Sequence, residues 1–150
     1  MISVQHEDFD IAGEVASLTR HSQDIGAVVT FTGVVRGDDG LVAMTLEHYA
    51  GMTEKALGEI EREAHARWPL SASRIVHRVG RLLPGDNIVL VITASAHREA
   101  AFEAARFLMD YLKTEAPFWK LEETRTGTRW VEPRASDDSA RERWRKAAAE

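Results

Sequence analysis

Apolar and polar positions along this chain switch between a helical and a strand period, and the switches divide it into elements. Ile11, Val15 and Leu18 recur at helical spacing and predict a short amphipathic helix. Gly26 to Arg36, rich in Val, Thr and Phe, predicts a strand, with Gly37-Asp-Asp-Gly40 as the turn out of it. From Leu41 the pattern alternates, with Val42, Met44, Leu46 and His48 on one face and Ala43, Thr45, Glu47 and Tyr49 on the other. These two strands are expected to pair as a hairpin. Leu57, Ile60, Ala64 and Trp68 return to helical spacing, and Pro69 stops that helix.

The second half repeats the alternation. Ile75 to Leu83 predicts a strand, Pro84-Gly-Asp-Asn87 a turn, and Ile88-Val-Leu-Val-Ile92 a central strand buried on both faces. Ser95 is the expected N-cap of a helix whose core stripe is Ala101, Ala105, Leu108 and Leu112. Lys113 falls off that stripe, on the flank of Phe102, Arg106 and Met109, where its stem can pack and its head can reach a pocket edge. A strand through Trp130 and Val131 follows, and Ser136 to Glu150 is expected to be a charged, loosely held helix or tail. Helices and strands in this order, with hairpin-length turns and one crossover, indicate an α+β domain.

Composition narrows the function classes. The 150 residues fit one domain of ordinary size. A net charge of -5, with both signs interspersed, argues against a nucleic-acid surface built on bulk charge, so a basic site has to be local. No secretion signal opens the sequence and no run of apolar residues is long enough to span a bilayer, so a soluble, cytoplasmic protein is expected, bound to no membrane. Cysteine is absent, which removes disulfides, thiolate metal sites and cysteine nucleophiles. If the chain handles sulfur, another molecule brings it. The six histidines fall in no ligand spacing, and no metal or cofactor is expected.

The local basic site is sought first in Asp110-Tyr-Leu-Lys-Thr-Glu-Ala-Pro-Phe-Trp-Lys120. Lys113 would close a helix and Lys120 open the next strand, so the turn at Pro117 can fold both ammonium groups into one pocket. Like charges at close range depress a lysine pKa toward the working pH, which suits proton transfer. The competing reading is that lysines at a helix end complement its dipole. Arg36 ends a strand beside a glycine turn, where it either grips a phosphate or is simply solvated. His97 and Arg98 stand in the first turn of a helix, where cationic side chains oppose the dipole and hint at an anionic ligand.

Phe31-Thr-Gly-Val-Val-Arg36, Leu46-Glu-His-Tyr-Ala-Gly-Met52, His77-Arg-Val-Gly80, Ser95-Ala-His-Arg98 and the lysine segment, in this order and at these separations, resemble the large, catalytic subunit of molybdopterin synthase. The resemblance runs from about Gly26 to Trp130. It implies an α/β-hammerhead domain with an additional small antiparallel sheet, one domain over residues 1–150, and a homodimer with a small subunit at each outer end, making a heterotetramer. It implies a sulfurtransferase of molybdenum cofactor biosynthesis that converts cyclic pyranopterin monophosphate, precursor Z, into molybdopterin. Two dithiolene sulfurs would come from the C-terminal glycine thiocarboxylate of a small ubiquitin-like sulfur-carrier subunit. By the same resemblance Val34, Val35, Arg36, His97, Arg98, Lys113, Lys120, Leu121 and Glu122 would form the substrate pocket, with Lys113 and Lys120 catalytic. The valines and Leu121 would contribute backbone or apolar contact only. Arg36, His97 and Arg98 would neutralise the phosphate, and the lysines would orient the thiocarboxylate and move protons.

His48, Tyr49 and His77 read as strand residues of the core or of the layer behind the site. Trp68, Trp119 and Trp130 read as packing residues, and Arg129 and Arg134 as possible further anion contacts. One departure from the family pattern is Ala50, where proline is frequent before Gly51-Met52. The alternative from another class is a noncatalytic dimeric module that holds an anionic peptide tail or a nucleotide by charge alone. An unrelated acyl or phosphoryl enzyme lacks a recognisable triad, a glycine-rich phosphate loop or metal carboxylates.

Overall fold

The computed structural model describes residues 1–131 and 141–145. Two four-stranded sheets carry the fold. The first has the order β1 (Ile2–Gln5), β4 (Leu70–Arg78), β6 (Asn87–Ser95), β2 (Ala27–Val34); the second has the order β5 (Gly80–Leu82), β3 (Leu41–His48), β7 (Phe118–Thr124), β8 (Gly127–Val131). Three helices, α1 (Ile11–Thr19), α2 (Met52–Arg67) and α3 (Arg98–Leu112), complete it. The expected α+β class and the small antiparallel second sheet are both present.

The apolar run Ile88–Ile92 lies in β6, flanked by β4 and β2 and buried through most of its length, as a run with no polar face requires. One face of this sheet, through Ile75, Val89 and Val91, packs on Leu57, Ile60 and Ala64 of α2 and Phe107, Leu108, Tyr111 and Leu112 of α3. The other face, through Val76, Leu90 and Ile92, is covered by Phe9, Val15 and Leu18. The stripe expected on α3 is therefore the buried one, and Ala100, Ala104, Phe107 and Tyr111 widen it.

Four local expectations are corrected. The strands β2 and β3 do not form a hairpin: β2 pairs with β6 in one sheet, while β3 pairs with β5 and β7 in the other. The pairing breaks at Gly33/Val34, after which Val35 donates its N–H to Asp86 and accepts one from Gly85, so the 84–87 turn engages the backbone that a hairpin would have used. The single strand expected over Ile75 to Leu83 is two strands, because Val79 and Gly80, the latter at φ 92°, carry the chain from the first sheet into the second. Ser95 is the last residue of β6, its hydroxyl donating to the Pro69 carbonyl at 2.9 Å, and His97 takes the N-cap position of α3. Trp130 is 60% exposed on β8 and joins none of the core clusters of the described residues.

The strand β1 carries no strong sequence signal, yet it lies parallel to β4 at the sheet edge. Of the expected tail, residues 136–140 and 146–150 lie outside the described residues, as does Arg134. Residues 141–145 are helical, and Trp144 is buried against Trp68 and Phe107 in edge-on contacts.

Candidate functional site

The two lysines flank one tight turn. Lys113 caps the C-terminus of α3, its N–H donating to the Met109 carbonyl at 3.1 Å, and its side chain is exposed. Thr114 and Glu115 keep one more helical turn closed on Asp110 and Tyr111. Pro117, which cannot continue the helix hydrogen bonds, then turns the chain into β7, where Lys120 is the third residue. Lys120 sits opposite Leu46 of β3 and Val131 of β8. In a strand with alternating faces, Phe118, Lys120 and Glu122 share a side with His48, Leu46 and Met44. The Lys120 ammonium lies 3.8 Å from one Glu122 oxygen, while the other accepts from Arg129 at 2.9 and 3.1 Å. Glu122 is thus held by Arg129 more closely than by Lys120.

A polar layer underlies this turn. Thr53, in the first turn of α2, is fully buried; its hydroxyl donates to the Pro117 carbonyl at 3.0 Å and accepts the Tyr49 N–H at 3.1 Å. His77 on β4 stacks on Phe118 with ring centroids 3.9 Å apart, and its Nδ1 is 2.8 Å from the Arg78 carbonyl, a contact that fits the tautomer protonated there. Burial pushes the His77 pKa down to about 4, and the nearby charges of Lys113 and His48 add to that, against the stabilising bond to Arg78. The imidazole is neutral at ordinary pH. His48 pairs with Glu54 at 3.3 Å. The Glu54 carboxyl is held below its usual range chiefly by its own backbone N–H, with Gly51 N–H and His48 contributing against partial desolvation.

Arg36 belongs to the same end of the molecule. Val34 pairs with Asn87 at the start of β6, and Thr93 near the end of β6 bonds Ala101 near the start of α3, so α3 runs back across the sheet toward Asn87. Lys113 and the Val34–Arg36 segment therefore lie at one end of the domain. Val35 is buried with Met44, Leu46 and Leu82, and Leu46 is the cross-strand neighbour of Lys120. Val34 and Arg36 are exposed, and Arg36 pairs with the exposed Asp38 at 3.3 Å. Leu121, half-buried, pairs in register with Thr45 and Trp130 and faces away from Lys120.

His97 and Arg98 lie at the opposite end. A helix of 15 residues is about 22 Å long, so α3 separates them from Lys113 within one chain. Both are exposed and line an open cavity of about 510 Å³ with Gly26, Ala96 and Glu99. Gly26 is required there: a Cβ on it would lie 2.2 Å from the Ala96 carbonyl oxygen. The structure thus gathers Val34, Val35, Arg36, Lys113, Lys120 and Glu122 at one end and leaves His97 and Arg98 at the other.

Thr53 and His77 were not singled out as site residues by sequence. Thr53 follows the helix-start signal of Gly51 (φ 85°) with Glu54, whose carboxylate accepts the Gly51 N–H at 2.5 Å, and nothing local announces its bond to Pro117, 64 residues away. Tyr49 and Trp119 meet edge to face at 4.1 Å, one position from Lys120. Among the described residues no group of three or more His, Asp or Glu is arranged to hold a metal ion, and no helix is long and apolar enough to cross a membrane.

Comparison with known proteins gives a consistent result. The model of the family described as MoaE protein matches residues 4–115. A Pseudomonas aeruginosa protein named molybdopterin synthase catalytic subunit is 57% identical over 146 residues, covering 95% of this chain and 97% of its own. The solved structure of a molybdopterin biosynthesis MoaE protein from Burkholderia ambifaria is 55% identical, with a TM-score of 0.84 over 96% of this chain and 97% of that one. At 18% identity, a structure from Helicobacter pylori described as a complex of subunits 1 and 2 of molybdopterin-converting factor shares the fold, with a TM-score of 0.75 over 89% of this chain and 91% of that chain.

Proposed function

The chain belongs to the MoaE protein family, the catalytic subunits of molybdopterin synthase, and from that premise we propose how its residues carry out sulfur transfer in molybdenum cofactor biosynthesis. The substrate is cyclic pyranopterin monophosphate, and the sulfur arrives as the C-terminal thiocarboxylate of a small ubiquitin-like subunit. The absence of cysteine supports a sulfur donor outside the chain. The H. pylori neighbour, a complex of two subunits, supports a small-subunit partner. On this reading the protein works in the cytoplasm.

The observation that carries the reading is the Lys113–Pro117–Lys120 turn with Arg36 at the same end of the domain. Lys120 and Lys113 bind the thiocarboxylate, supply and remove protons as the cyclic phosphate opens, and offset the negative charge that develops. Arg36 binds phosphate: its planar donors match phosphoryl oxygens, and its partner Asp38 is exposed and readily exchanged for a ligand. Glu122, fastened by Arg129, gives Lys120 a fixed carboxylate at a distance too long to hold its proton. Leu121 and the valines shape the backbone around these groups.

His97 and Arg98 enter through a second copy. At about 22 Å from Lys113 they are beyond the reach of one pterin phosphate bound at the lysines of their own chain. A two-fold dimer brings the α3 N-terminus of one protomer to the lysine turn of its partner, so that each site takes residues from both. The homodimer with a small subunit at each outer end is then a heterotetramer.

The test is a single-turnover reaction of the purified chain, the thiocarboxylated small subunit and cyclic pyranopterin monophosphate, scored by mass for a product with two sulfurs. Wild type is expected to form it, and Lys120→Ala to be slower by on the order of a hundredfold or more. Tight binding of the small subunit without any sulfurated product would leave only a noncatalytic binding module.

A further inference from the structure

Neither Thr53 nor His77 is among the expected substrate-pocket residues, yet both end on the turn between the two lysines. The Thr53 hydroxyl is fully buried and uses donor and acceptor at once, toward the Pro117 carbonyl at 3.0 Å and from the Tyr49 N–H at 3.1 Å. Buried hydroxyls cost stability unless paired, and a valine of the same shape would fill this space without that demand. Pro117 has no N–H, so its carbonyl is its only polar handle. A hydroxyl aimed at that handle fixes the direction of the Pro117–Phe118 peptide, which lies between the two lysines. His77 holds the next residue: its ring, 5% exposed, lies nearly parallel to Phe118 at 3.9 Å and 18°, and the bond from Nδ1 to Arg78 sets the plane of the ring. One contact therefore fixes residue 117 and the other residue 118, four and five positions after Lys113 and three and two before Lys120.

We propose that Thr53 and His77 are positioning residues for sulfur transfer, holding the Pro117–Phe118 turn so that Lys113 and Lys120 meet one substrate. They touch no reacting atom. This rests on the reading that the two lysines perform the chemistry, and the test separates the two claims. Thr53→Val, Thr53→Ser and Lys120→Ala are compared, alone and as Thr53→Val/Lys120→Ala, for kcat and KM toward the pterin phosphate with the thiocarboxylated small subunit in excess. Misplacing a catalytic group by about an ångström costs up to about a hundredfold. Thr53→Val is expected to lose about ten- to a hundredfold in kcat with KM little changed, and Thr53→Ser, which keeps the hydroxyl, to stay near wild type. On the Lys120→Ala background Thr53→Val should add less loss than it causes in the wild type, since one of the two groups it positions is gone.

Wild-type kcat in Thr53→Val, equal loss in Thr53→Ser, or full additivity with Lys120→Ala would each overturn the positioning role while leaving the lysines in place. Full activity of Lys120→Ala would instead overturn the underlying reading and the proposal with it. Should Thr53→Val not fold, Phe118→Leu decides: it removes the stack on His77 but keeps an apolar side chain, and it is expected to lower kcat at least fivefold with KM little changed. Unchanged kcat in that variant would overturn the proposal.

Discussion

The two ends of α3 are built in opposite ways. At the N-terminal end His97 and Arg98 stand exposed on an open cavity, and a close approach of Gly26 to the Ala96 carbonyl brings two backbones together beneath them. At the C-terminal end Lys113 and Lys120 project from a turn with buried groups behind it: Thr53 on Pro117, His77 on Phe118, and Trp144 donating to Asp110 at 2.6 Å one helical turn before Lys113. Arg141 adds a bond to Glu115 at 2.8 Å. On the proposed reading, the contrast separates binding from chemistry. Cations that neutralise a phosphate tolerate some play, because Coulomb attraction falls off gently with distance. Groups that transfer protons need hydrogen-bond distance and direction, so a supporting layer is built behind them.

The comparison is broken most severely at the open end by Gly26→Ala. The added Cβ collides with backbone at Ala96, which cannot rotate away, and the loss is expected to reach about 3 kcal/mol or more. A denaturant midpoint close to wild type would show that this end is looser than its packing implies.

At the layered end the buried imidazole gives a pH signature of similar size. The folded-state pKa of His77 is about 4, below the ordinary value of 6.5. The unfolded chain therefore binds more protons between these values, and stability falls as pH drops from about 6.5 toward 4, by about 3 kcal/mol in all. Above pH 6.5 this contribution is fully present. Thermal unfolding followed across this range should show a steep loss in wild type and a shallower one in His77→Gln. Parallel slopes would mean that His77 titrates normally.

Lys113→Arg probes the chemistry alone. Arginine keeps the charge but cannot release a proton at usable pH, so a loss on the order of a hundredfold in kcat is expected if Lys113 moves protons, and near-wild-type rates if it serves charge alone. Arg98→Ala is expected to be milder. Removing one charge-assisted phosphate contact of about 1.5 kcal/mol raises KM roughly tenfold. A larger effect on kcat than on KM would move Arg98 from binding into chemistry.

Much of the layered end was legible in the sequence, and little of its support was. The apolar stripe of α3, its end at Lys113 and the turn at Pro117 are local patterns, each set within a few residues. The same locality made the β2–β3 hairpin look natural, because two strands joined by Gly37-Asp-Asp-Gly40 normally pair. What overrode it is the engagement of Val35 by Gly85 and Asp86, about 50 residues downstream. Likewise His77 to Phe118 and Thr53 to Pro117 join residues 41 and 64 positions apart, and no periodicity carries such pairings. The distance between His97 and Lys113 was legible in principle, since helix length follows from residue count. The family pattern grouped these residues in one pocket, whereas α3 sets His97 and Arg98 about 22 Å from Lys113 within one chain.

The proposed division between two chains is tested most directly by complementation. Lys120→Ala and Arg98→Ala chains are co-expressed so that dimers form at random, and the mixture is assayed with the thiocarboxylated small subunit at limiting pterin phosphate. Half the dimers are mixed, and one of their two sites then carries both native residues, so roughly a quarter of the wild-type sites are restored. Activity near that level, well above the sum of the two separate variants, is the expected result. Activity no higher than that sum would contradict a site shared between two copies of the chain.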